Sequence, residues 1–150
     1  MPIFVSFQGL SEATGTIRDL PPKLEKAVLL DLAAHCYDEA QVGARRHTKP
    51  GGTGALFQSL YNRPIPKGRE VGHDANRAPH AVFVNLGTKP HVIRPKKRKA
   101  LRWPSGNRFM FAKKVNHPGY RGDGYLFASA TSALKALPAI LANAIKRAAS

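Results

Sequence analysis

The stretch Ala81–Gly119, AVFVNLGTKPHVIRPKKRKALRWPSGNRFMFAKKVNHPG, decides the fold. It is a series of short apolar runs, each closed by turn residues. Ala81–Leu86 stops at Gly87-Thr88-Lys89-Pro90. His91–Arg94 leads into Pro95-Lys96-Lys97-Arg98-Lys99. Ala100–Trp103 stops at Pro104-Ser105-Gly106-Asn107, and Phe109–Val115 at His117-Pro118-Gly119. Runs of Val, Ile, Phe and Trp bounded by Gly and Pro read as strands and tight turns. The basic segment between Ile93 and Leu101 has the length of a hairpin loop. The rest of the chain reads chiefly as helix packed around this β unit.

Upstream, Ile3–Leu10 alternates in the manner of a first strand, and the polar Ser11–Asp19 reads as a loop. Leu20–His47 carries the longest helical pattern. Asp19 is placed to cap it, and Pro21-Pro22 suit a first turn, where a missing N–H costs nothing. Leu29, Ala33, Cys36, Tyr37, Ala40 and Ala44 form one broad face, with Asp31, His35, Asp38, Glu39 and Arg46 opposite. Leu24, Val28, Leu32 and Val42 spill onto the polar side, either as ordinary exposed residues or as a subunit contact. Thr48–Gly52 breaks the helix, and Thr53–Tyr61 fits a short second helix capped by Thr53. Asn62–Ala78, rich in Pro, Gly and charge, reads as a mobile loop or a weak hairpin. Gly119–Gly124 (GYRGDG) reads as a flexible joint. From Leu126 a helical face returns through Phe127, Ala130, Leu134, Leu137, Leu141, Ala144/Ile145 and Ala148, with a kink or a new helix at Pro138. Lys146 and Arg147 suit the negative end of the helix dipole.

The expected class is therefore α+β: a small antiparallel or mixed sheet packed by a long N-terminal helix and a C-terminal helix. At 150 residues, 43% of them apolar, the chain is expected to form one domain, with mobile loops near 62–78 and 94–99. No apolar run approaches the ~18 residues of a membrane span. The N-terminus lacks a signal-peptide pattern, so a cytosolic site of synthesis is expected. The lone Cys36 lies in the apolar stripe and reads as a buried thiol.

Charge is the loudest compositional signal. The net charge is +15, and it is unevenly spread. Residues 1–42 carry three bases and six acids, 43–125 eighteen bases and three acids, and 126–150 three bases and no acid. The excess lies with the β unit and favours polyanions or acidic protein surfaces.

The familiar signatures of catalysis are missing. His35, His47, His73, His80, His91 and His117 form no HxxxH or HExxH pair, no carboxylate cluster for a divalent ion is evident, and no dinucleotide fingerprint occurs. His73-Asp74 is a chance-level dyad, and the Gly-rich 48–54 lacks the Gly-Lys-Ser/Thr of a phosphate loop. No enzyme, metal or cofactor is expected. The candidate contact site is Arg94, Lys96, Lys97, Arg98 and Lys99, either a solvated tip or a phosphate clamp of salt-dependent, sequence-blind affinity. Trp103, Phe109 and Phe111 nearby fit a core-facing strand side better than a base-stacking surface.

At these residues the chain resembles the neck, or tail-completion, proteins of tailed bacteriophages. Thr53-Gly54-Ala55-Leu56 with Ser59-Leu60 is similar to the family's TGxLxxS segment, and Ala81–Thr88 to its AxxVExGT segment. His91–Lys97 with Ala100–Trp103 is a third mark, and His117-Pro118-Gly119 with Tyr125-Leu126 and a C-terminal helix a fourth. Asn85 stands where a glutamate is usual, and Gly124-Tyr125 replaces Pro-Phe. The resemblance spans roughly residues 20–148. It implies a tail-terminator-like fold, in which Ala81–Leu86 can be helical. It also implies a virion protein made in the bacterial cytoplasm, which forms a homo-oligomeric ring at the head–tail joint. Its partners would be head-completion and tail-terminator or tail-tube proteins, with genomic DNA in the lumen and no membrane. The alternative from another class is a free nucleic-acid-binding protein anchored by Arg94–Lys99; a small nuclease is a third, disfavoured by the missing carboxylates.

Overall fold

The computed structural model describes residues 1–8, 20–48 and 52–149. Its class is α+β, as expected. Strand β1 (Ile3–Gln8) is followed by helix α1 (Pro22–Arg45), one turn of helix α2 (Ala55–Gln58), and strands β2 (Leu60–Ile65) and β3 (Gly68–His73). Helix α3 (Ala81–Leu86) precedes strands β4 (His91–Ile93), β5 (Leu101–Ser105), β6 (Arg108–Ala112) and β7 (Val115–His117). Helices α4 (Tyr125–Lys135) and α5 (Leu137–Ala149) close the chain.

Helix α1 is the element everything else packs on. Pro21 and Pro22 stand at its first turn, and the Pro21 carbonyl accepts from the N–H groups of Leu24 and Glu25. The proposed cap Asp19 and the loop 11–19 lie outside the described residues, as does part of the break after Thr48. One side of α1 lies on the sheet and another on α4 and α5. Burial therefore spans a wide arc: Val28, Leu29, Leu32, Ala33, Cys36, Ala40 and Ala44 all lie in the core. Cys36 is fully enclosed, and burial pushes its thiol pKa up to about 12.

The sheet has the order β1-β3-β2, antiparallel throughout. Of the two readings of 62–78, loop or weak hairpin, the hairpin is the one found: β2 pairs with β3, which is the central strand, with Val71 and His73 buried. Pro64 is tolerated because β2 lies at the sheet edge. The expected helix over Thr53–Tyr61 shrinks to α2, because Leu60 already pairs with His73.

Two further expectations are corrected. Ala81–Leu86 is helical, not extended, and turns Ala81 and Asn85, one turn apart, into the core. The C-terminal helix breaks before Pro138, as the proline requires, and its halves meet at 54°. The buried face of α4, however, runs through Leu126, Ser129, Ala130 and Ala133, leaving Phe127 and Leu134 exposed. Small residues let α4 approach α1 closely: a Cβ on Gly43 would lie 2.6 Å from the ring of Tyr125.

Candidate functional site

Residues 88–120 leave this core as a β arm. Its root is a backbone crossing, where Thr88 and Tyr120 exchange two hydrogen bonds of 2.6 and 3.0 Å. Gly87 and Gly119 take φ of +81° and +87°, which side chains resist. A Cβ on Gly87 would sit 2.2 Å from the Tyr120 carbonyl oxygen, and one on Gly122 would sit 2.4 Å from the Gly87 nitrogen. The GYRGDG segment expected as a flexible joint is thus a tight crossing, and Gly119 and Gly122 are needed for space. Asn85 fastens the crossing to the core. Its amide donates to the Ala81 carbonyl, and its Oδ1 accepts from the Leu126 N–H at 2.9 Å, satisfying one of the free donors that open α4.

From the root, β4 pairs with β7, and the rings of His91 and His117 stack across the pair at 5.0 Å. Arg94, Lys96, Lys97, Arg98 and Lys99 follow, all exposed and outside either ladder, with Lys113 and Lys114 in the break between β6 and β7 on the return. The basic segment, expected as a hairpin tip, lies midway along the arm instead, because β4 pairs with β7 and not with β5. Residues 88–120 hold ten bases and no acid, and no ion pair among the described residues involves them.

Beyond the basic segment, β5 and β6 form a ribbon closed by Gly106-Asn107. Gly106 has φ +60° and Asn107 does not share it, the pattern of a type II′ hairpin turn. Every residue from Arg102 to Phe111 is exposed. The register puts Leu101, Trp103, Met110 and Ala112 on one face, and Arg102, Pro104, Phe109 and Phe111 on the other. The Arg102 guanidinium lies 3.6 Å over the Phe109 ring. Trp103, Phe109 and Phe111, expected to face the core, are 38%, 52% and 65% exposed. Each strand alternates, but the register sets Trp103 with Met110 on the face opposite Phe109 and Phe111, so the three share no core-facing side, and both faces of the ribbon are open. A two-stranded ribbon with bulky apolar groups on both faces is marginal in water by itself and gains stability when covered.

The proposed subunit-contact residues separate. Val28 and Leu32 are 0% and 1% exposed, so they are core residues facing inward, not a contact surface. Leu24 is half-buried against the core. Val42 is exposed, and it shares the outer strip of α1 with Leu30, Ala34 and Asp38 at four-residue spacing.

His73 is turned inward from Asp74. Ser59 donates to the Leu56 carbonyl, so its oxygen accepts from His73 Nδ1, while Nε2 accepts from the Tyr125 hydroxyl at 2.5 Å. With its proton committed and Ser59 only 2% exposed, this is a structural lock between β3, α2 and α4. Among the described residues no three His, Cys, Asp or Glu side chains converge on a point, and no single helix is long and apolar enough to cross a membrane. Comparison with family models, curated proteins and solved structures gives no match.

Proposed function

We propose that this protein is a structural subunit of a tailed-phage head–tail joint, assembling with copies of itself into a ring of the neck or tail-completion type. The observation that carries the reading is the β5–β6 ribbon, apolar on both faces and open to water over all of 102–111. Such a surface calls for a protein neighbour. An arm reaching a different patch on the next copy makes a heterologous contact, the kind that closes into rings. The resemblance carried by residues 53–60, 81–88, 91–103 and 117–126 supports the same reading, and the basic arm suits a ring whose lumen passes DNA.

Electron microscopy and native mass measurement of the purified full chain test it. The expected result is a closed cyclic oligomer with a central opening, and recovery of the protein in purified particles. A strictly monomeric chain that holds DNA at ~150 mM salt would replace this reading with that of a free nucleic-acid binder.

A further inference from the structure

We infer that the occupant of the arm is the outer strip of α1 on a second copy of this chain, with the β5–β6 ribbon of one subunit lying across Leu30, Ala34, Asp38 and Val42 of the next. The inference rests on the ring reading and deepens it by naming the two surfaces that meet.

Among the described residues, neither surface is covered within one subunit. The ribbon is exposed on each side, so it does not pack on its own α1. On α1, Leu30 and Val42 are 48% and 52% exposed, whereas Val28, Leu29, Leu32, Ala33, Cys36, Ala40 and Ala44 of the same helix are buried. The surfaces are complementary in charge where the proposal joins them: the arm carries ten bases and no acid, whereas Asp38 and Glu39 stand exposed midway along the strip, between Lys26 and Arg46 at its ends. Asp38 and Glu39, on and beside the strip, are exposed and take part in none of the ion pairs among the described residues; Asp31 is already held by Arg147. Exposed apolar groups stand beside bases on the arm and beside the exposed carboxylates Asp38 and Glu39 on the helix. Nucleic acid would match the bases but leave Trp103, Met110, Phe109, Phe111, Leu30 and Val42 without a common cover. A second copy matches all of them, with Arg94–Lys99 beside Asp38 and Glu39.

Trp103 is the only tryptophan in the chain, so its emission reports the ribbon alone. On assembly it is expected to shift to the blue and become less accessible to acrylamide. Two reversals test the pairing: an arm variant (Lys96→Glu, Lys97→Glu, Arg98→Glu, Lys99→Glu) and a helix variant (Asp38→Lys, Glu39→Lys). All six positions are exposed, and far-UV circular dichroism is expected to be unchanged. Each variant alone is expected to assemble at least about tenfold more weakly. Mixed together, they are expected to co-assemble, the acidic arm of one meeting the basic helix of the other. Rings that form with Trp103 still quencher-accessible, or with either reversal without effect, overturn this pairing and leave the ring reading standing. Failure of the mixture to co-assemble, or Trp103 protection that appears only on adding DNA, also overturns it. A chain that never assembles overturns both.

Discussion

The Tyr125 hydroxyl, on the first turn of α4, donates to Nε2 of His73, the last residue of β3, across 2.5 Å of fully enclosed space. Burial lowers the His73 pKa from 6.5 to about 4. Between those values the unfolded chain binds the proton and the folded chain does not. This contribution is therefore complete above about pH 6.5 and lost as pH falls toward 4, to a total on the order of 3 kcal/mol. His73→Gln is expected to cost ~1–3 kcal/mol at pH 7, by leaving Ser59 or Tyr125 poorly paired. It is also expected to flatten the decline in stability between pH 6.5 and 4. Urea unfolding of both proteins across that range measures the difference; equal pH slopes would contradict the assignment.

Gly43 is where α1 meets Tyr125. A Cβ there would lie 2.6–2.7 Å from three carbons of that side chain. Gly43→Ala gains helix propensity but forces α4 outward, with an expected net destabilisation of ~1–3 kcal/mol. Thermal unfolding checks the sign: a higher midpoint would mean that Tyr125 yields freely.

Limited trypsin digestion should distinguish the arm from the sheet. The unpaired bases Lys96–Lys99 and Lys113-Lys114 are expected to be cut first. Arg69 sits in the central strand, bonded to Asn62, and is expected to resist. Early cleavage inside α1 or at Arg69 would contradict this fold.

Replacing Lys96, Lys97, Arg98 and Lys99 by Gln is expected to change stability by no more than ~0.5 kcal/mol per site, because none is buried or paired. It should lower the salt at which the protein elutes from DNA, the log–log slope falling by about 0.9 for each phosphate no longer neutralised. An unchanged slope would place the low-salt DNA-binding surface elsewhere on the molecule.

How far the sequence can be read depends on whether a signal is local. The α+β class, the burial of Cys36 and the break at Pro138 follow from periodicity and from proline geometry, and all are found. A hairpin over 62–78 is one of the two readings the sequence allows, but its central place in the sheet is hidden because Pro64, Gly68 and Gly72 look like loop residues. Gly68 and Gly72 are there because β1 crosses so near: the Phe7 carbonyl lies 1.9 Å from a Cβ on Gly68. Val28 and Leu32 are misplaced by a single apolar stripe, which cannot describe a helix covered from two directions. The candidate site is half legible. Its bases stand out in the sequence, but the exposure of Trp103, Phe109 and Phe111 depends on what lies opposite them, which alternation does not encode.

The arm is jointed like a limb. Its shoulder, where Gly87, Gly119 and Gly122 press backbone on backbone and Asn85 ties α3 to α4, has no room to rotate. Its wrist, at 94–100 and 113–114, has no ladder bonds to hold an angle. Direction and grip are thereby set by different residues. In a closed circle of such subunits, the shoulder would fix the turn from one copy to the next and hence their number. The wrist would absorb small errors, so that the last hand still finds its place. Changes at Gly87 or Asn85 would then alter how many subunits complete the circle, while changes at Lys97 or Lys114 would alter only how readily it closes.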